Sequence, residues 1–200
     1  MSQVNLENAE LTNTRIEIGP DVVFFLGPNL TLRNCTLVLR VAARNLLIPQ
    51  ARFLDCTIEA KGELKGSRWD RAQLKGCRFV GRFRGNDFGK WPFSPGEGSI
   101  EDCDFTQATL DACRFLGCDM RTIRLPSWPC FTFIDPVPRW REWSAHSWPG
   151  DIGPVVVAGF AEDPPSTAAV TYSAQALAKR YGTTPEAIKA VLEKLDGAFY

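Results

Sequence analysis

The stretch Gly98-Ser99-Ile100-Glu101-Asp102-Cys103-Asp104-Phe105-Thr106-Gln107-Ala108-Thr109-Leu110-Asp111-Ala112-Cys113-Arg114-Phe115-Leu116-Gly117-Cys118-Asp119-Met120-Arg121-Thr122-Ile123-Arg124-Leu125 decides the fold. Ile100, Phe105, Leu110, Phe115, Met120 and Leu125 stand five apart without a break. Two residues before each come Gly98, Cys103, Ala108, Cys113, Cys118 and Ile123, five of the six small. Most of the residues between are polar. The same beat runs through Leu64, Trp69, Leu74 and Phe79, preceded by Gly62, Ser67, Ala72 and Cys77. It returns at Leu6, Leu11 and Ile16, preceded by Val4, Ala9 and Thr14, and in the pairs Leu32/Leu37 and Phe53/Ile58.

A period of five fits neither a helix at 3.6 nor a strand at 2. It fits a chain that turns a corner every five residues. Four sides make a coil of about 20 residues, and coils stack at ~4.8 Å. The large apolar residue fills the tube, and the small one sits where bulk would clash with the coils above and below. A longer beat agrees: Thr14, Cys35, Cys56, Cys77 and Gly98 are each 21 apart, with Cys118 a further 20 on, which predicts one column on one face. About six coils fit before residue 126. Six ladder cysteines are then small buried hydrophobes with inert thiols, and Cys130 lies outside the ladder.

On these residues the sequence resembles the pentapeptide-repeat family. The motif reads Ala72-Gln73-Leu74-Lys75-Gly76, Cys77-Arg78-Phe79, Cys103-Asp104-Phe105-Thr106-Gln107 and Ala108-Thr109-Leu110-Asp111-Ala112. The resemblance covers roughly residues 4–125 and implies a right-handed quadrilateral β-helix. Val22–Leu26 and Leu46–Pro49 are richer in apolar residues than the motif. The run from Gly89 to Glu97, with its Pro and Gly, is expected to bulge from one corner.

After Leu125 the beat stops. Residues 126–150 hold four of the six tryptophans, Trp128, Trp140, Trp143 and Trp148, together with five prolines. That composition predicts an extended, turning segment. Its aromatics would cover the last coil, since an open solenoid end needs a cap. Alternatively, some form a partner-binding hot spot. Val155–Val157 reads as a buried strand and Ala161–Thr167 as a loop. Two helices close the chain. Ser173 caps the first, which carries Leu177, Ala178 and Tyr181 and ends at Gly182. Thr184 caps the second, with Pro185 at its first position and Ile188, Val191, Leu192 and Leu195 as its stripe. The expected fold is mainly β: a solenoid over residues 1–125 and a smaller α-containing cap over 126–200.

The chain's 200 residues carry 23 Lys plus Arg and 23 Asp plus Glu, a net charge of zero. This argues against a generic nucleic-acid binder and against a uniformly acidic DNA mimic. No run of about 18 apolar residues predicts a membrane span. The N-terminal residues lack a secretory pattern, so a cytoplasmic protein with reduced cysteines is expected. One histidine, His146, excludes paired-histidine zinc sites. No nucleotide-binding or nucleophile-elbow motif occurs, and the expectation is a non-enzyme with no cofactor and no metal.

Charge is distributed unevenly. From Lys61 to Lys90 there are nine basic and three acidic residues, and from Glu97 to Asp119 six acidic and one basic. The two bands either pair with each other or present a patterned face to a charged partner. The candidate protein-binding residues are Lys65, Arg68, Arg71, Arg78, Arg82, Arg84, Trp140, Trp143 and Trp148. Some small bacterial proteins of the resembled family neutralise toxins, including secreted nucleases. The resemblance therefore implies an immunity protein with a toxin or effector as its protein partner. Two alternatives are a topoisomerase-protecting DNA mimic and a DNA-binding regulator using the last two helices. The second is weakened by a recognition helix without Arg, Asn or Gln.

Overall fold

The computed structural model describes residues 2–92 and 97–200. Phe93–Gly96, the centre of the expected corner bulge, lie outside the described residues. The chain is mainly β, a solenoid of about four turns followed by a helix-bearing C-terminal part.

Corners come first, because they make the turns possible. Asn13, Asn34, Asp55, Gly76 and Asp102 all adopt left-handed backbone, with φ between 51° and 65°. Asn and Asp tolerate that region better than other side-chain-bearing residues, and glycine enters it freely. Each is followed by a residue of one column, Thr14, Cys35, Cys56, Cys77 and Cys103, of which the four cysteines are buried. Those five stack directly. The amides of Thr36, Thr57, Arg78 and Asp104 donate to the carbonyls of Thr14, Cys35, Cys56 and Cys77 at 2.8–2.9 Å. A second corner follows the same rule at Asn8, Asn29 and Gln50. Side chains join the corners too, with Asn29 Nδ2 donating to Asn8 Oδ1 at 2.9 Å and Asn34 Nδ2 to Asn13 Oδ1 at 2.6 Å.

Between corners run short parallel strands. One sheet stacks Glu10–Thr12, Thr31–Arg33, Arg52–Leu54, Gln73–Lys75 and Ser99–Glu101. The next stacks Arg15–Ile18, Thr36–Leu39, Thr57–Lys65, Arg78–Arg84 and Asp104–Asp111. Ser2–Leu6, Val22–Leu26 and Leu46–Leu47 form a third, three-stranded stack. Inside, Leu32, Leu37, Phe53, Ile58, Leu74, Phe79, Phe105 and Leu110 are at most 1% exposed. The upper turns are aromatic: Phe79 stacks on Phe105 with centroids 4.4 Å apart, and Trp69 meets Phe53 and Phe79 edge-on at 6.1 and 5.7 Å.

The structure corrects the predicted column in its upper part. Cys35, Cys56 and Cys77 do pile in file, but Cys103 follows them rather than Gly98. The chain through Lys90–Glu97 adds residues to that turn and shifts the count. Gly98 instead continues the column Ala9, Leu30, Ala51, Ala72, where Ser99 N donates to Ala72 O. Cys118 lies off the Cys35 file, its Sγ 3.8 Å from Met120 Sδ. About four turns are built where six were expected. The thiols of the file donate to backbone carbonyls, Cys56 Sγ to Leu32 O and Cys77 Sγ to Phe53 O at 3.3 Å each. Burial pushes the Cys113 and Cys118 thiols up to about 12.

The C-terminal part departs from expectation in three places. Residues 126–150 are not simply extended: Cys130–Ile134 is a strand, and Pro136–Ser144 is a helix, α1. Pro136 and Pro138 read as breakers in sequence, yet they sit in its first turn, where the missing N–H has no helical partner to lose. Ile152–Val157 forms a π-helical turn, not a strand, because Ile152, Val156 and Val157 reach one core at helical spacing while Val155 is 56% exposed. Ala158–Glu162 continues as a 3₁₀ turn into the expected loop. Thr167–Ser173 is an unforeseen strand. The last two helices, α2 (Ala174–Tyr181) and α3 (Pro185–Leu192), follow expectation, with Ser173 and Thr184 hydroxyls accepting from Ala176 N and Ala187 N. No helix among the described residues is long and apolar enough to cross a membrane.

Capping is done by strands, not by the tryptophans. Thr167–Ser173 pairs antiparallel with the solenoid strand Cys113–Leu116 on one side and with Cys130–Ile134 on the other. Both faces of this pair are buried. Ala169 and Ile134 join the solenoid core, whereas Phe131, Phe133 and Val170 join a second core with Trp143, Phe160, Leu177 and Ile188.

Two glycines in one strand and its corner separate steric from conformational cost. Gly81 (φ 105°) lies in register between Ala60 and Ala108, and a Cβ there would collide with the Ala60 carbonyl oxygen. Gly85 (φ 59°) has nothing within 4 Å of a Cβ. In denaturant unfolding Gly85→Ala should cost about 1–2 kcal/mol, the left-handed penalty alone. Gly81→Ala should cost more than about 3 kcal/mol. Equal losses would show that the turns do not stack at this spacing.

Candidate partner-binding groove

The solenoid is not hydrogen-bonded all the way round. Between the second and third turns, pairing holds up to Leu39↔Ala60 and resumes where Gln50 N donates to Arg71 O at 3.0 Å. Between those points the two turns take different paths with equal numbers of residues. The lower one contracts into a 3₁₀ turn at Ala43–Asn45, while the upper one stays extended through Glu63–Lys65. A 3₁₀ turn advances ~2.0 Å per residue and a strand ~3.3 Å, so the register cannot be kept. Among the described residues no backbone hydrogen bond joins Leu46–Pro49 to Gly66–Asp70.

The opening is a groove of about 840 Å³. Phe25, Leu47 and Pro49 give it an apolar floor, and Leu47 is 46% exposed. Arg44, Lys65, Arg68 and Arg71 stand on the rim, with Trp91 at one end. Asp70 is the single acid among the lining residues. Its side chain is 3% exposed and receives Arg68 Nε and Nη2 at 3.2 and 3.1 Å. Arg68 also lies over the Trp91 ring, 5.2 Å from its centroid, and Arg114 lies over the same ring at 5.0 Å. Arg114 is fixed in turn by Asp87 at 2.8 and 3.1 Å and by Asp163 at 2.9 Å. Arg44 and Lys65 make no ion pair among the described residues.

Of the residues predicted from sequence, Lys65, Arg68 and Arg71 therefore meet in one groove. Arg78, Arg82 and Arg84 do not join them. They stand along the strand Arg78–Arg84, where cross-turn pairing engages two of the three: Arg78 with Asp104 at 3.9 Å and Arg84 with Asp111 at 3.5 Å. Lys75 and Glu101 pair likewise at 3.0 Å, so the opposite charge bands do neutralise each other along this part of the rod. Asp111 also accepts from Arg180 of α2 at 2.8 Å, which ties the cap to the solenoid.

The tryptophans serve the second core. Trp143 is fully buried and its Nε1 donates to Asp196 O at 3.1 Å, which removes it as a contact residue. Trp148 is half-buried and donates to Trp143 O at 2.9 Å, and Trp140 is half-buried under Arg141. Sequence reasoning missed Arg44, Leu47 and Trp91. The alternation of Leu46 in and Leu47 out was the available signal for the second.

The comparisons with known proteins add no relative: no family model, curated protein or solved structure matches the chain.

Two outcomes test this division of labour. Trp143→Ala should lower stability by about 3–5 kcal/mol as a core truncation. Trp140→Ala should cost clearly less, and equal effects would contradict the burial difference. The second concerns Asp104. Its burial alone would raise the carboxyl, but the Thr106 hydroxyl and N–H and the Arg124 and Arg78 guanidinium groups outweigh this and hold it below its ordinary value of 3.8. A depressed acid stabilises the fold fully above its unfolded value, and the contribution fades as pH falls through the folded one. Stability should thus decline on acidification below about pH 4, and Asp104→Asn should flatten that decline. An unchanged pH profile in the variant would contradict it.

Proposed function

We propose that the protein is a pentapeptide-repeat protein of right-handed quadrilateral form that acts without catalysis, as a cytoplasmic immunity protein binding and neutralising a toxin. The observation that carries the reading is the groove. It joins an exposed apolar floor to a rim of surplus positive charge on a frame whose interior is filled by packed rings. Such a surface suits protein recognition: apolar contact supplies affinity, and the cationic rim selects and steers an acidic partner. A rigid frame loses little conformational entropy on docking.

The two alternatives draw less support. A DNA mimic needs acids free to imitate phosphates, whereas Glu101, Asp104, Asp111 and Asp87 are engaged by basic side chains. In the α2–α3 hairpin, Lys189 lies against Trp128 and Tyr200 at 5.4 and 5.8 Å. That directs one of its few cations back onto the protein.

Co-expression with a toxin, sought among the products of neighbouring genes, should restore growth of a sensitive host, and the two proteins should co-elute in gel filtration. Growth arrest undiminished by co-expression, with no complex formed, would overturn the proposal.

A further inference from the structure

The groove is bordered by a strand edge that has no strand beside it among the described residues. Leu46–Leu47 pairs on one side with Val22–Leu26, and its other edge meets no strand among the described residues. On the upper turn the groove is lined by Lys65, the last residue of the strand Thr57–Lys65. The unpaired edge of Leu46–Leu47 borders an opening of about 840 Å³, enough for a short extended peptide. An unpaired edge offers backbone donors and acceptors at the spacing a new strand requires.

We propose that this gap is a strand-addition site for an extended acidic segment of the protein partner, with acidic and apolar residues in alternation. The inference rests on the reading of the protein as a binding module and names what its groove accepts. Side chains on one face of such a segment would lie over Phe25 and Leu47, and those on the other would meet Arg44, Lys65, Arg68 and Arg71. Period-2 alternation is what a strand presents to two unlike walls. Charge fixes the sign of the occupant. Arg44 and Lys65 make no ion pair among the described residues, and the one acid of the lining, Asp70, is already engaged by Arg68. A basic or neutral strand would leave Arg44 and Lys65 uncompensated beside an apolar floor, whereas a carboxylate every second residue compensates them.

The test uses the full chain and a blocked nine-residue peptide alternating Glu and Val, with a Lys/Val peptide as control. Calorimetry should show saturable binding of the Glu peptide and none of the Lys peptide. The double variant Arg44→Glu, Lys65→Glu should weaken binding at least about tenfold, while Arg82→Glu, on the neighbouring strand and outside the groove, should change it less than about twofold. Both substitutions are at exposed positions, and unchanged thermal midpoints would show that the variants fold. Hydrogen exchange should slow at Leu46–Ile48 when the peptide is present. No saturable binding, equal binding of the Lys peptide, or slowed exchange elsewhere only would overturn the inference. The two proposals fail separately. If co-expression protects and the double variant protects equally well, the strand-addition site falls and the immunity function stands. If the peptide binds as described and no toxin is neutralised, the reverse holds.

Discussion

The structure depends on a backbone constraint at the corners. A chain that turns every five residues must reverse its curvature locally, and here it does so through left-handed residues. Asn13, Asn34, Asp55, Gly76 and Asp102 supply one corner in five successive layers. Left-handed backbone costs an ordinary side chain about 1–2 kcal/mol, so the corners are restricted to residues that bear it well. The next residue points inward at the tightest part of the tube and must be small. Both demands recur at each layer, and the strands between corners then fall into parallel register. The interior is consequently one continuous file of side chains, with no crossing loops.

That file changes character along the rod. The lower turns close over Leu32, Leu37 and Leu39, whereas the upper turns hold Trp69, Phe79, Phe83, Phe88, Phe105 and Phe115. The strands lengthen over the same interval: Thr36–Leu39 is a four-residue strand, and Thr57–Lys65 one turn later is nine residues long. Trp69 is buried just beyond that strand, its Nε1 donating to Asn86 Oδ1 at 3.2 Å and its ring stacked 6.2 Å from Phe88. The groove on the outside is thus the counterpart of a change in packing on the inside.

Local rules were readable in the sequence, and those that need two segments at once were not. The small-then-large alternation, the Cys35–Cys56–Cys77 file and the caps at Ser173 and Thr184 are encoded within a few residues of where they act. So were the corners, since Asn34-Cys35, Asp55-Cys56, Gly76-Cys77 and Asp102-Cys103 each place a left-handed residue before a small one. The Gly98 misplacement came from residues added at Lys90–Glu97, which a fixed period cannot register. The cap strands Cys130–Ile134 and Thr167–Ser173 are buried on both faces, so they lack the polar–apolar alternation that marks a half-exposed strand. The groove was half legible. Lys65, Arg68 and Arg71 stood out as a basic run, but Arg44 and Leu47 belong to the turn below and join them only because the two turns diverge.

The same geometry decides which charges remain for a partner. In a parallel stack, side chains in register on adjacent layers are ~4.8 Å apart, and opposite charges there fall within ion-pair reach. Lys75 with Glu101, Arg78 with Asp104 and Arg84 with Asp111 follow from register alone. Each exposed pair of this kind contributes little to stability, but it removes a charge from the surface field. Where the stack opens, register no longer sets a partner beside each side chain. Arg44 and Lys65 line the groove without an acid paired to either among the described residues, and Leu47 is exposed in the same groove. Surplus charge and exposed apolar surface therefore share one cause, the divergence of two turns, and coincide at one place on the rod. On a protein whose repeat pairs many of its other charges, that coincidence makes the gap the position where an outside chain gains most by binding.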